Sequence, residues 1–399
     1  MKTYIDYIGN NKLMARGILE LYNAFAGSGY TDRINAYLRS NGVTLEKHHL
    51  NRLINDLEAG NRVRCESKAF FAQIILTTDC NLECIMCGRV RGQSGTLDLK
   101  AFKNIESFLP YISCISWQGG EVFVVDYFFE LLSRITRKYP HIEHKITTNG
   151  LLLDEKTSVL LAENNVDIMF SIDSLEKSNY ESIRKKGNFE KLLKNLDFIG
   201  KEYDKRNNVK FCLNTVVMKR NMDELVRFPD FCGKYRIGAF NFGYLISDGI
   251  KEEDIFADND RELIERLTRN VGEAKTKFAA LGIKSAGDLE TYLGSYSGAV
   301  PMAAVPTDGE HAPKCLRPWQ SVNINWDGRV FPSCECRESA GNVYSNRLEE
   351  IWNSKAIEIY RESVIAGKRP GVCSERCIKG PIPLEYESGY RKLVEIAAY

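Results

Sequence analysis

Six short apolar runs, at residues 70–76, 113–117, 142–147, 166–172, 209–217 and 237–246, alternate with stretches of helical periodicity. Phe189, Leu192, Leu193, Leu196 and Ile199 mark one such stretch, with apolar side chains returning to one face every three or four residues. Short apolar runs alternating with helices argue for a parallel sheet whose crossovers are helical. The expected fold class is therefore α/β: a partial (β/α)6, TIM-like barrel. In such sheets the chemistry gathers at the carboxyl ends of the strands.

The chain has 399 residues, which suggests two or three domains. Residues 1–68 read as helical: Leu50, Leu53, Ile54 and Leu57 keep helical spacing, Thr44 is a candidate N-cap and Gly60 a candidate stop. His48 and His49 are neighbours there and read as solvated or packed side chains rather than a metal pair. A stretch rich in Gly, Ala and Pro over 294–313 marks a boundary. The expected division is an N-terminal helical segment, 1–68, a barrel core, 69–300, and a small C-terminal domain, 301–399.

Lysine and arginine number 54 against 53 acidic residues, a net charge of +1, so nothing points to nucleic acid or an anionic membrane as partner. There is no run of 18 apolar residues and no apolar leader, so no membrane span is expected and the cytoplasm is the expected location. In a reducing compartment the 12 cysteines read as metal ligands or buried thiols rather than disulfides.

Three of them, Cys80, Cys84 and Cys87, follow the first apolar run directly. Three thiolates on one loop suit an iron–sulfur cluster whose fourth iron lacks a protein ligand. They also suit part of a zinc site, but such a site closes with four ligands and no histidine lies nearby. The spacing resembles the signature of the radical S-adenosylmethionine (SAM) enzymes. The resemblance implies a 4Fe–4S cluster held by these cysteines, with SAM on the open iron. Reductive cleavage of SAM to a 5′-deoxyadenosyl radical and hydrogen abstraction from a substrate would follow.

Other strand ends extend the resemblance. Gln118-Gly119-Gly120-Glu121 matches the family's Gly-Gly-Glu motif, and by resemblance Gly119, Gly120 and Glu121 hold the SAM amino group. Thr147-Thr148-Asn149-Gly150 resembles the family's Thr-Asn-Gly turn. Ser171, in Ser171-Ile172-Asp173, and Arg184 are assigned to the SAM carboxylate, which a guanidinium fork suits. Met86 stands where the family often has an aromatic residue against adenine, and Asn214 is a further candidate. Cys65, Cys114, Cys212 and Cys232 read as buried small hydrophobes. Cys212, on the fifth strand, would be a hydrogen-atom donor if it faces the interior.

A second cysteine group, Cys315, Cys334, Cys336, Cys373 and Cys377, accompanies an Asp327-Gly328 hairpin signal and a helix with Leu348, Ile351, Trp352, Ala356 and Ile359 on one face. Gly367 and Pro370 stop that helix. Four thiolates here suit a fully ligated cluster or a closed zinc site. Cys-Leu-Arg-Pro-Trp, the hairpin and Gly341-Asn-Val before Leu348-Glu-Glu-Ile-Trp-Asn resemble the SPASM and Twitch extensions of radical SAM enzymes. Lacking an additional Cys-x-x-Cys pair, the chain fits one auxiliary 4Fe–4S cluster. Cys315, Cys334, Cys373 and Cys377 are the expected ligands, with Cys336 able to replace Cys334.

These resemblances imply radical modification of a peptide or protein substrate: crosslinking, epimerisation or oxidation. A sugar or aminocyclitol dehydrogenase or epimerase is the alternative, and a non-catalytic iron–sulfur or zinc protein a third reading. An electron donor such as flavodoxin or ferredoxin would be the partner. Residues 1–68 lack the strand pattern of the winged-helix peptide-recognition domain found in many peptide modifiers.

Overall fold

The computed structural model describes residues 3–398 apart from 25–26, 89–93, 165, 205–209, 246–249, 288, 291–292, 294–314, 335, 369, 372 and 374–388. The Gly/Ala/Pro-rich stretch lies wholly outside the described residues. Two compact units result. One comprises Met1–Ile74, Leu97–Ile115 and Val305–Tyr399, the other Ile75–Thr96 and Ser116–Ala304.

The second unit contains the strand–helix alternation. Its strands are β1 (Phe71–Thr77) and β2 (Cys114–Gly119), each through its C-terminal half, then β3 (Glu143–Thr148), β4 (Val166–Ser171), β5 (Phe211–Val217), β6 (Ala239–Tyr244) and the short β7 (Lys284–Ala286). The strands lie in chain order, and β3·β4, β4·β5, β5·β6 and β6·β7 all pair in parallel. Helices Phe128–Lys138, Glu155–Glu163, Phe189–Asp204, Phe228–Lys234 and Arg261–Ala280 supply the crossovers. The α/β fold, with a mainly parallel sheet, is as expected. Observed strands begin and end within two residues of the apolar runs, because the runs mark burial while hydrogen bonding sets the ends.

Burial alternates strictly along β3, β4 and β5. Ile146, Ile168, Phe170, Leu213, Phe240 and Phe242 are fully buried on one face. Thr147, Met169, Ser171, Cys212, Asn214 and Asn241 are only half-buried on the other. A period of two residues produces this division.

The first unit joins both ends of the chain. Helices Tyr4–Ile8, Lys12–Ala24, Tyr30–Ser40 and Lys47–Glu58 share one core with the C-terminal helix Gly389–Ala398. Tyr4, Ile18, Ile34, Leu38, Leu53, Ile54 and Leu57 pack there with Leu393 and Ala397. The last of the N-terminal helices is preceded by Glu46, not Thr44, and ends one residue before Ala59, with Gly60 at φ +77°. His48 and His49 are buried, their ring centroids 4.0 Å apart, and burial lowers the His49 pKa.

The hairpin is present: β8 (Ser321–Ile324) pairs antiparallel with β9 (Arg329–Phe331) and parallel with β1. Gly328, at φ +80°, occupies the turn. The single helix expected from Leu348 to a stop at Gly367 is instead two, Leu348–Trp352 and Lys355–Ile365. Asn353 breaks it, its side chain exchanging hydrogen bonds with the Cys65 backbone (3.1 and 2.9 Å) and accepting one from Arg361 (2.9 Å). The break resets the helical phase, so Ile357, Tyr360, Arg361 and Val364 are buried while Ile359 is 51% exposed. Gly367, at φ +70°, follows the second helix as expected.

Candidate active site

The parallel ladders bring the half-buried residues into lateral rows. Thr147, Met169, Cys212 and Ala239 form one row, and Ser171, Asn214 and Asn241 the next, towards the carboxyl ends. The Asn241 amide donates to Asn214 Oδ1. Cys212 is thus half-buried on the more open face, unlike the fully buried Cys65, Cys114 and Cys232.

The cysteine loop emerges from β1. Leu82 N donates to Cys80 Sγ at 3.3 Å, and Asn149 Nδ2 reaches the same sulfur at 3.9 Å and Asn81 Oδ1 at 2.8 Å. A two-residue ladder pairs Glu83–Cys84 with Arg184–Lys185 and places Cys84 opposite Arg184. Arg184 Nη1 then lies 3.8 Å from Cys84 Sγ, and its Nη2 2.7 Å from Asp173 Oδ2. Asp173 also accepts from Val216 N at 2.9 Å.

Burial pushes the Cys84 thiol up to about 11; Arg184 pulls it down, and Asp173, Cys87 and Cys80 push it further up. The three thiols are therefore electrostatic neighbours. Among the described residues no three His, Cys, Asp or Glu side chains converge on one metal ion. A multi-iron cluster spreads its ligands wider than a single ion does, and three soft sulfur donors on one loop beside a guanidinium fit such a cluster. Met86 sits at the edge of an apolar group formed by Ile183, Met218 and Leu245.

Gly119 and Gly120 owe their identity to the same loop. A Cβ on Gly119, at φ +150°, would lie 2.3 Å from Thr77 O, and one on Gly120 2.1 Å from Asp79 O. Gly120 N and Glu121 N donate to those two carbonyls at 2.7 and 2.9 Å. The glycines thus allow β2 to lie directly on the strand leading to Cys80. The Glu121 carboxylate is buried and accepts from Thr148 Oγ1 (3.0 Å to each oxygen) and Asn149 N (2.8 Å). Burial raises it to about 7 against these donors. In this structure it orders the Thr-Asn-Gly turn, which in turn holds Asn149 against Cys80.

Both the sequence and the fold are similar to those of known proteins. Residues 74–232 match the Radical SAM superfamily model, and residues 315–378 match the SPASM iron–sulfur cluster-binding domain. The chain is a radical SAM protein with a SPASM domain. The radical SAM domain implies a 4Fe–4S cluster and SAM, and the SPASM domain further iron–sulfur ligation. Its sequence is similar to GTP 3′,8-cyclases of Clostridium perfringens, 28% identical for strain SM101 and 30% for strain 13, over 218 residues in each case. The match covers 52% of this chain and 65% of each relative's length. The fold is similar to Streptococcus suis SuiB bound to S-adenosylmethionine, with a TM-score of 0.61 at 15% identity, covering 89% of this chain and 81% of that one. It is also similar to anSMEcpe with bound AdoMet and a peptide, with a TM-score of 0.55 at 17% identity, covering 82% and 99%.

In the SPASM domain, Cys336 and Cys373 form an antiparallel bridge. Cys315 is half-buried against Cys65, Trp319 and Val364, and Cys334 is exposed. Cys377 lies outside the described residues. Residues 1–68 of this radical SAM protein bond to that domain. Trp352 Nε1 donates to Ser67 O (2.7 Å), Trp319 Nε1 to Arg62 O (2.6 Å), and buried Arg361 to Val63 O (2.9 Å) and Pro318 O (3.1 Å).

Asn81, Asn241 and the Cys84–Arg184 contact carry no motif of their own. Asn81 lies inside the cysteine motif, where spacing draws attention to sulfur alone. Asn241 is visible only through the β5·β6 register.

Proposed function

We propose that this radical SAM protein is an enzyme that modifies a peptide or protein substrate. The observation that carries the reading is architectural. The likeness to SuiB spans both units of the chain, 89% of its length, and a SuiB structure bound to the precursor peptide SuiA is similar over the same share (TM-score 0.59). When bound, the cluster and SAM supply a radical able to remove a substrate hydrogen atom.

The protein's own residues hold and orient. Cys80, Cys84 and Cys87 are the cluster ligands. Arg184, fixed by Asp173, places positive charge beside Cys84 and favours its thiolate. The Glu121–Thr148–Asn149 network keeps the cysteine loop and the adjoining turn in register. Ser171, Asn214 and Asn241 present hydroxyl and amide groups to a bound ligand, and Met86 an apolar surface. Cys212, one row deeper, is a candidate hydrogen-atom donor. The functional division we propose keeps the radical chemistry in 69–300 and an auxiliary cluster in 301–399, with 1–68 as scaffold of the latter. A flavodoxin or ferredoxin would deliver the electron.

A second reading, a small-molecule substrate, has its own support. The curated relatives are named for a nucleotide, and among the described residues of 1–68 every regular element is a helix. Two measurements separate the readings. Reduced, reconstituted protein should release 5′-deoxyadenosine from SAM. Mass spectrometry of a deletion strain should then find a mass change in a peptide; a change confined to small molecules would overturn the peptide reading. Among the described residues no helix is long and apolar enough to cross a membrane.

A further inference from the structure

Sequence spacing leaves two hairpin cysteines, Cys334 and Cys336, competing for one ligand position. The tertiary structure separates them. Cys336 and Cys373 come from segments on either side of the helix Lys355–Ile365, yet they form a one-pair antiparallel bridge. Such a bridge holds the two Cα atoms about 4.5–5.5 Å apart with both side chains on the same side of the ladder. Each cysteine closes a tight turn: Cys336 N donates to Ser333 O at 3.1 Å, and Cys373 N to Pro370 O at 3.0 Å. Tyr360 anchors the segment that follows Cys336. Its hydroxyl donates to Glu338 O at 2.8 Å. Cys334, two residues earlier, is exposed.

We infer that Cys336, and not Cys334, is the hairpin ligand of the auxiliary cluster, acting together with Cys373. Two thiolates this close share one cluster readily, since the backbone has already brought them together. The inference rests on the reading that 301–399 holds an iron–sulfur cluster.

The test uses full-length protein carrying Cys80→Ala, Cys84→Ala and Cys87→Ala, so that iron reports the auxiliary site alone. After anaerobic reconstitution this background should hold about four irons with matching sulfide. Adding Cys334→Ala should leave that content and the reduced-state electron paramagnetic resonance signal unchanged. Adding Cys336→Ala or Cys373→Ala should abolish both, with the far-ultraviolet circular dichroism retained. Anaerobic alkylation of the loaded background protein needs no further substitution: Cys334 should label, and Cys336 only after chelation. Iron lost with Cys334→Ala, or Cys336 labelled in the loaded protein, overturns the inference. A background without iron would overturn the auxiliary-cluster reading itself, and the inference with it.

Discussion

Arg184 and Asp173 form a buried ion pair, Nη2 to Oδ2 at 2.7 Å, while the other arm of the guanidinium reaches Cys84 Sγ at 3.8 Å. Burial raises the Asp173 pKa, and Arg184 draws it back down. Removing one partner of such a pair leaves a charge buried without compensation. Asp173→Asn should therefore cost about 3–5 kcal/mol, read as a lower urea midpoint with unchanged slope. Arg184→Lys should also lower iron loading at the first cluster, since an ammonium cannot serve both partners in the geometry of the fork. Wild-type midpoints for both variants would show that the pair is incidental.

Glu121 makes stability depend on pH. Its folded pKa, about 7, lies above the ordinary 4.5 because the carboxyl is buried. The folded state then holds the proton more tightly than the unfolded state. The associated stabilisation is complete below pH 4.5 and is lost as pH rises through 7. Relative to Glu121→Gln, the wild type should lose up to about 3 kcal/mol across that window. Denaturation of both proteins at about pH 5 and about pH 8, either side of the folded pKa, measures the difference. Parallel pH profiles would place the titration elsewhere.

Gly120→Ala should displace the cysteine loop, because its Cβ would meet Asp79 O at 2.1 Å, a backbone atom that cannot swing aside. The expected cost is about 1–3 kcal/mol, together with reduced iron loading at Cys80, Cys84 and Cys87. Gly200→Ala is the matched control. It lies within the helix Phe189–Asp204, where an added Cβ would find nothing within 4 Å, and should stabilise by about 0.5–1 kcal/mol. Equal melting temperatures for the two variants would contradict this account.

Leu393→Ala tests whether the C-terminal helix belongs to the N-terminal core. Leu393 is fully buried among side chains of 1–58, and Arg16 Nε donates to Ala397 O at 2.8 Å. Truncation should cost about 2–5 kcal/mol. Hydrogen exchange should show the loss of protection concentrated in helices Lys12–Ala24 and Lys47–Glu58. Unchanged exchange there would mean that the helix packs elsewhere.

What sequence alone determined here is local or periodic. The cysteine triplet is legible because its ligands share one loop, and the α/β class because burial imposes a two-residue period on strands and a longer one on helices. Glu121 and the Thr-Asn-Gly turn were legible as motifs. Tertiary structure decided what those motifs touch. Arg184 stands 100 residues from Cys84, and only strand pairing shows that they face one another. The helix expected through Ile359 breaks at Asn353 because its amide and carbonyl oxygen bind the backbone of Cys65 and the guanidinium of Arg361. Residues 1–68 carry no motif, yet they bond to the SPASM domain and share a core with the last helix. Cys334 and Cys336 differ by two positions in the chain, and the bridge to Cys373, with the exposure of Cys334, distinguishes them. Composition and spacing report which groups are available and with what period; pairing between distant segments depends on the closure of the whole chain, and that is where these partnerships are set.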